Sequence, residues 1–306
     1  MKIVVTGAGG FVGRRLVERL VTRGDIVTGT DTVSGSVPDG ALEVAGDIAD
    51  PQVRGAALAG GCDAIVHLAT VPGGAAEADP AASWRINVEA MHDLLQEASL
   101  QRPGLRFVYA SSIAVYGDSL PAQVDDNTPL SPRLIYGGHK AMMEQALAML
   151  SNRGAIDGVT IRLPGVLARP KGPSGMKSAF MSNLFHALRA GERFLCPVSG
   201  AGTIWAQSLD RVVDNFVHAL SMNTGRMPPT RAVTLPAVRC TMGALAQEVA
   251  RQCGRKPDLV SYDPDPVLQA GFAAQPPLIT PAAERAGFAH DGNLAKLVES
   301  ALRTLS

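Results

Sequence analysis

Cysteine is scarce and scattered: Cys62, Cys196, Cys240 and Cys253 show no C-x-x-C spacing, so neither a zinc site nor a disulfide framework is indicated, and no metal is expected. No charge of one sign predominates, because 28 Lys and Arg balance 28 Asp and Glu and no block of like charges occurs. That balance leaves no electrostatic footprint for nucleic acid or an anionic membrane. No hydrophobic run reaches the length of a bilayer span, and the apolar stretch after Met1-Lys2 is too short for a secretory signal. The expected setting is the cytoplasm, with reduced thiols.

What is present is apolar. Hydrophobic residues make up 46% of the 306, enough for one large domain or a large domain with a smaller companion. The first half alternates short apolar runs, at 2–6, 26–30, 42–45, 64–68, 107–110 and 159–163, with longer amphipathic stretches. Continuous apolar strands joined through helices predict a parallel, doubly wound sheet, because such strands are covered on both faces. The clearest helices are 12–23, 84–98 and 138–152. After Leu163 the texture changes: Pro164, Pro170, Pro173 and Pro197 interrupt the pattern before a helix at 208–220. Residues 1–165, with 206–235 returning, are expected to form the cofactor domain, and 166–205 with 236–306 a smaller, loop-rich substrate lobe.

Directly between the first strand and first helix lies Gly7-Ala8-Gly9-Gly10-Phe11-Val12-Gly13. A phosphate-binding turn needs Gly7 for the bend, Gly10 for close backbone approach and Gly13 for helix–sheet packing, with Phe11 and Val12 opening the helix whose N–H groups face the phosphates. The expected fold class is therefore α/β, a Rossmann-type doubly wound parallel sheet. Asp31 ends the second strand at the spacing of a ribose-binding acid. A carboxylate there accepts both ribose hydroxyls and repels a 2′-phosphate, which favours NAD over NADP. Asp47 and Ile48 follow the third strand and suit the adenine, while Leu68 and Ala69 close the fourth, where backbone lies against the cofactor.

Ser111 and Ser112 end the fifth strand, and Tyr136 and Lys140 are four apart, on one face of a helix. A free phenol, with a pKa near ~10, is a poor base at neutral pH, and an adjacent ammonium stabilises its phenolate. His139 should face away from both. In order along the chain, T-G-x-x-G-x-x-G, a ribose Asp, S-S-x-x-V-Y-G and Y-x-x-x-K resemble the extended short-chain dehydrogenases/reductases over almost the whole length. That resemblance implies that Ser112 holds the substrate oxygen, Tyr136 transfers a proton, Lys140 tunes it and Asn87 supports the relay. It also implies that Asn87, Ser111, Pro164 and Val166 join the NAD site.

Within that family, Ile113 and Ala114 stand where a sugar dehydratase carries an acid pair, and the nucleotide-sugar signatures after the sixth strand are missing. The segment Arg162-Leu163-Pro164-Gly165-Val166 with Arg169-Pro170, the run 194–198 and Trp205 resemble the D-erythronate 2-dehydrogenases. This implies oxidation of the C2 hydroxyl of a small sugar acid (an aldonate or related hydroxy acid), with Tyr136 as general base. Arg169, Lys171 and Ser174 fall in the segment expected to face the substrate, where a cation can hold a carboxylate. A nucleotide-sugar 4-epimerase and a non-catalytic NAD sensor remain as alternatives. A homodimer is expected through helices 84–98 and 138–152, which offer Met91, Leu94, Leu95, Met142, Met143, Ala146, Leu147 and Leu150, more apolar positions than one buried stripe requires.

Overall fold

The computed structural model describes residues 1–172 and 177–305. Strands β1 (Lys2–Thr6), β2 (Ile26–Asp31), β3 (Leu42–Ala45), β4 (Ala64–His67), β5 (Leu105–Ser112) and β6 (Ile156–Leu163) fall where the apolar runs predict them. Beyond them come β7 (Gly165–Val166), β8 (Phe194–Cys196), β9 (Thr203–Gln207), β10 (Ala232–Thr234), β11 (Val238–Thr241) and β12 (Val260–Tyr262). The central sheet has seven parallel strands in the order β10-β6-β5-β4-β1-β2-β3. In β4 every residue is buried, and in β1 all but Lys2, as strands covered on both faces must be. The order reverses between β1 and β4, so the crossovers diverge and open a crevice at the carboxyl ends of these strands.

The helices are α1 (Phe11–Thr22), α2 (Pro51–Leu58), α3 (Gly73–Ala78), α4 (Pro80–Trp84), α5 (Met91–Gln101) and α6 (Ile135–Asn152). The second half adds α7 (Phe180–Ala190), α8 (Leu209–Ser221), α9 (Met242–Gln252), α10 (Pro266–Phe272), α11 (Pro281–Arg285) and α12 (Leu294–Arg303). Among the described residues no helix is long and apolar enough to cross a membrane. On one sheet face, Leu16, Val17 and Leu20 of α1 share a core with Val212, Val213 and Phe216 of α8. Arg15 pairs with Asp210 at 2.8 Å and Arg19 with Asp214, so these two helices are also tied at the surface.

The opposite face carries α5 and α6. Met91, Leu94, Leu95, Met143, Leu147 and Leu150 are buried there against the sheet of their own chain. Of the positions expected to be spare for a dimer, Met142 is exposed and Ala146 half-buried. The helix expected at 84–98 is present but is not α-helical throughout. It begins as α4, widens into a π-helical turn at Arg85–Ala90 and resumes as α5. Asn87 sits in the wide turn with its amide bonded outside the helix ladder, a local demand that apolar periodicity does not reveal.

A second core gathers Leu167, Phe180, Leu184, Phe185 and Leu188 with Leu245 and Val249 of α9 and Leu297 and Val298 of α12. It packs around the small sheets β11-β9-β7 and β12-β8.

Candidate active site

Between β1 and α1 the chain turns at Gly7, where φ is +69° and an added Cβ would lie 2.7 Å from the Ala69 nitrogen. At Gly13 an added Cβ would meet the Gly7 oxygen at 2.0 Å. Side chains are thus excluded from both, which leaves a bare backbone cradle at the N-terminus of α1. The Gly9 N–H donates to Asp31 Oδ2 at 3.0 Å, so the turn itself orients the acid at the end of β2. This cradle and this carboxylate fit a dinucleotide.

One continuous cavity of about 1300 Å³ runs from there along the strand ends. One end is lined by Gly7, Gly10, Phe11, Val12 and Gly13, with Asp31, Asp47, Ile48, Leu68 and Ala69, the residues expected at the nucleotide. Its other end is lined by Ser111, Ser112, Tyr136, Lys140, Pro164, Val166 and Arg169. Asp47 already has partners: Oδ1 accepts from the Ala49 N–H at 2.9 Å and Oδ2 from Arg85 at 2.6 Å. Burial opposes the charge, but those two donors hold the Asp47 carboxyl below its usual range. Arg85 lines the cavity beside it.

Asn87 does not line this cavity. Its Oδ1 accepts from the Val71 N–H at 2.7 Å and from Thr70, and its Nδ2 donates to Val71 O and Ser83 Oγ. The expected cofactor contact is replaced by a backbone brace, because every polar atom of the amide is used on the 70–71 turn and on α4. His139 bonds Ser83 Oγ at 3.0 Å and meets Trp84 edge-on.

The Ser112 hydroxyl accepts from the Ala114 N–H at 3.1 Å, which fixes it at the mouth of the 113–116 turn. Desolvation pushes the Tyr136 phenol up to about 12, against the pull of the Ser112 hydroxyl and the Arg169 charge. Lys140 is buried, donates to Ala110 O at 2.8 Å and lies 5.5 Å from the Tyr136 ring centroid. Burial pulls its ammonium down to about 7, with Glu144 opposing. Phenol with amine and phenolate with ammonium contain the same number of protons, so a proton can be redistributed between Tyr136 and Lys140 without changing the total.

Arg169 enters from the loop after β7. Ala168 before it is buried in the left-handed region, with φ +59°, a strained conformation for a residue with a Cβ and one that aims the next side chain. The guanidinium lies 5.0 Å from the Phe11 ring centroid, and among the described residues no carboxylate pairs with it. Burial lowers its pKa, while the neighbouring Tyr136 works the other way. Lys171 is exposed and does not line the cavity, because the chain has left it by Pro170; Lys177 lines it instead. Ser174 lies outside the described residues.

The description of the NAD-dependent epimerase/dehydratase family matches residues 3–221. The chain belongs to that family. NAD is accordingly its cofactor. Among proteins of this family, a D-erythronate dehydrogenase of Haemophilus influenzae is 30% identical over 270 residues, which cover 83% of each chain. One from Cupriavidus necator is 33% identical over 267 residues, covering 83% of this chain and 82% of that one. A crystal structure described as a nucleoside-diphosphate-sugar epimerase from Agrobacterium tumefaciens superposes with a TM-score of 0.88 at 28% identity, over 97% of this chain and 92% of that one.

Several residues of the site carry no signal in the sequence. Arg85 and Lys177 look like ordinary surface cations until the fold turns them to the cavity. Gln275 also lines it. So does Trp205, which the resemblance singles out, with its Nε1 donating to Pro276 O at 2.7 Å. Behind Ser111, Glu144 and Arg162 form a buried ion pair. The Y-x-x-x-K spacing extended by one more turn reaches Glu144, and that was the available clue.

Proposed function

We propose that this chain is an NAD-dependent oxidoreductase that oxidises the C2 hydroxyl of a small sugar acid, D-erythronate or a close analogue, to the 2-oxo acid. The observation that carries the reading is one cavity holding both a Ser112, Tyr136 and Lys140 set and a half-buried Arg169 with which no carboxylate pairs among the described residues. The two D-erythronate dehydrogenases support the substrate class. In this reading Ser112 holds the C2 oxygen, and Tyr136, once its own proton has left to solvent, takes the hydroxyl proton on its phenolate Oη as C2–O becomes a carbonyl. The Lys140 ammonium, on the same face of α6, compensates the phenolate charge. NAD, when bound, accepts the C2 hydrogen with its electron pair. Arg169 holds the substrate carboxylate; a guanidinium offers a fork that an ammonium does not. Gly7, Gly10, Phe11, Val12 and Gly13 cradle the pyrophosphate, Asp31 takes the adenosine ribose, and Asp47 with Ile48 walls the adenine. Residues 166–205 and 236–306 act as the substrate lobe, and the molecule works as a homodimer in the cytoplasm.

The test is NADH formation by purified protein over a panel of four- to six-carbon aldonates and uronates. D-erythronate is expected to rank among the best substrates, and absence of NADH across the panel overturns the reading. A second reading, a nucleotide-sugar epimerase, is favoured by the likeness to the Agrobacterium structure. It predicts interconversion of a nucleoside-diphosphate sugar without net NADH.

A further inference from the structure

Glu144 on α6 and Arg162 on β6 are both buried, and the chemistry proposed above uses neither. Arg162 Nε lies 3.0 and 3.1 Å from the two carboxylate oxygens and Nη2 lies 2.7 Å from Oε2. Ser111 Oγ donates to Glu144 Oε1 at 2.5 Å. On the other side, Arg162 Nη1 donates to Tyr116 Oη at 3.0 Å, which is 2.6 Å from Thr234 Oγ1. One run of hydrogen bonds therefore joins β5, α6, β6, the 113–116 turn and β10.

Stability is a poor explanation for such a pair, since well-packed apolar residues in place of a buried ion pair are often as stable or more so. Its position is more telling. Ser111 immediately precedes Ser112, and Glu144 follows Lys140 by four residues, as Lys140 follows Tyr136, so Tyr136, Lys140 and Glu144 share one face of α6. We propose that Glu144 is a positioning residue: clamped by Arg162 and Ser111, its carboxylate keeps the Lys140 side chain in the ammonium form and the end of β5 in register with Tyr136.

The surroundings of Lys140 leave this task to Glu144. From β4, His67 faces it as a neutral ring, its pKa pushed down to about 3 by burial and by Lys140 itself. From β5, the Tyr109 ring lies 4.7 Å from Nζ, and burial holds its phenol protonated, well above the ordinary value. From α6, Tyr136 is also a phenol at neutral pH. Arg162 of β6 is paired with Glu144 itself, and its guanidinium stays charged. Glu144 is the group that opposes the burial of the ammonium.

The proposal rests on the reading of Lys140 as part of the relay, and two separate readouts tell the two apart. The first is the Lys140 titration in the NAD-bound protein, followed through 15N-lysine signals and assigned with Lys140→Met. Glu144→Gln is expected to lower its midpoint by about one pH unit or more, and Tyr116→Phe to leave it in place. The second is the pH profile of NADH formation, expected to move the same way in Glu144→Gln and to return part-way in Glu144→Asp. If Glu144→Gln fails to fold, the double variant Glu144→Gln/Arg162→Met leaves no unpaired guanidinium and is expected to show a smaller shift in the same downward direction, because loss of the Arg162 charge works the other way. An unmoved Lys140 midpoint in whichever variant folds overturns the proposal. A moved midpoint with an unmoved turnover profile supports the hold of Glu144 on Lys140 and overturns the relay reading instead.

Discussion

The two ends of the cavity are built by different means. At the nucleotide end, eight consecutive residues from Thr6 to Gly13 make the turn, and Asp31 is oriented by the Gly9 N–H of that same turn. At the substrate end, Ser112 comes from β5, Tyr136 and Lys140 from α6, and Arg169 from the loop after β7, with no hydrogen bond linking Ser112 or Lys140 to Arg169. The first end is a local backbone shape; the second is a convergence of side chains carried by separate elements. Damage at the first should therefore appear in cofactor binding, and damage at the second in turnover or in substrate affinity alone.

The largest expected effect lies at the substrate end. Tyr136→Phe removes only the proton-transferring hydroxyl, so kcat should fall by about a thousandfold while NAD affinity, measured by titration calorimetry, stays near that of the parent. Weakened NAD binding of similar size would erase the division between the two ends. Gly13→Ala comes next: its Cβ would meet the Gly7 oxygen at 2.0 Å, backbone that cannot swing aside. NAD affinity should drop by about a hundredfold, corresponding to roughly 2.7 kcal/mol, and the helix–sheet contact should loosen with it.

Arg169→Ala sharpens the comparison because this side chain leans toward both ends, over Phe11 of the turn and near Tyr136. If it serves the acid, KM for the acid should rise by about thirtyfold, the loss of a charged hydrogen-bonded contact, with NAD affinity unchanged. An equal loss of NAD affinity would move Arg169 to the pyrophosphate.

His67 lies beneath both ends, bonded to Thr6 at 2.8 Å. Its pKa is depressed to about 3 by burial first and Lys140 second, so between the unfolded value and 3 the unfolded chain holds a proton that the folded chain does not. Stability is therefore full above the unfolded value and falls as pH drops, by about 2 kcal/mol from this residue between pH 7 and pH 5. Urea unfolding at the two pH values, with His67→Gln flattening the difference, checks the sign. The smallest effect is selectivity. Asp31 should give at least about a tenfold preference for NAD over NADP, or ~1.4 kcal/mol, and Asp31→Asn should narrow it.

The same contrast explains what could be read from the residues alone. β1 to β6 and the glycine turn are local features, an apolar run or a bend, and they stand where the pattern puts them. β10 was not foreseen as a strand: three residues of Ala-Val-Thr carry no periodicity, and their pairing with Thr160–Arg162 is a tertiary event. Asn87 was assigned to the cofactor by resemblance, but a side-chain amide goes wherever unpaired backbone groups lie, and here these are on Val71. Lys171 and Lys177 are indistinguishable in a proline-rich loop until the chain's exit from the cavity separates them. Glu144 and Arg162 are eighteen residues apart and on different elements, so only the crossing of α6 over β6 discloses the pair.

The cavity's continuity has a kinetic consequence. Among the described residues, the region lined by Gly7 and Asp31 and the one lined by Tyr136 and Arg169 belong to one cavity with no dividing wall. A four-carbon acid entering alone would find a cavity of about 1300 Å³, far larger than itself. On the proposed reading, a dinucleotide seated in the glycine cradle would supply one side of the space left to the acid. Encounter should then be sequential, cofactor first and acid second, with the acid product departing before the reduced cofactor. Initial-rate patterns should show the 2-oxo acid as a noncompetitive inhibitor against NAD, whereas NADH competes with NAD directly.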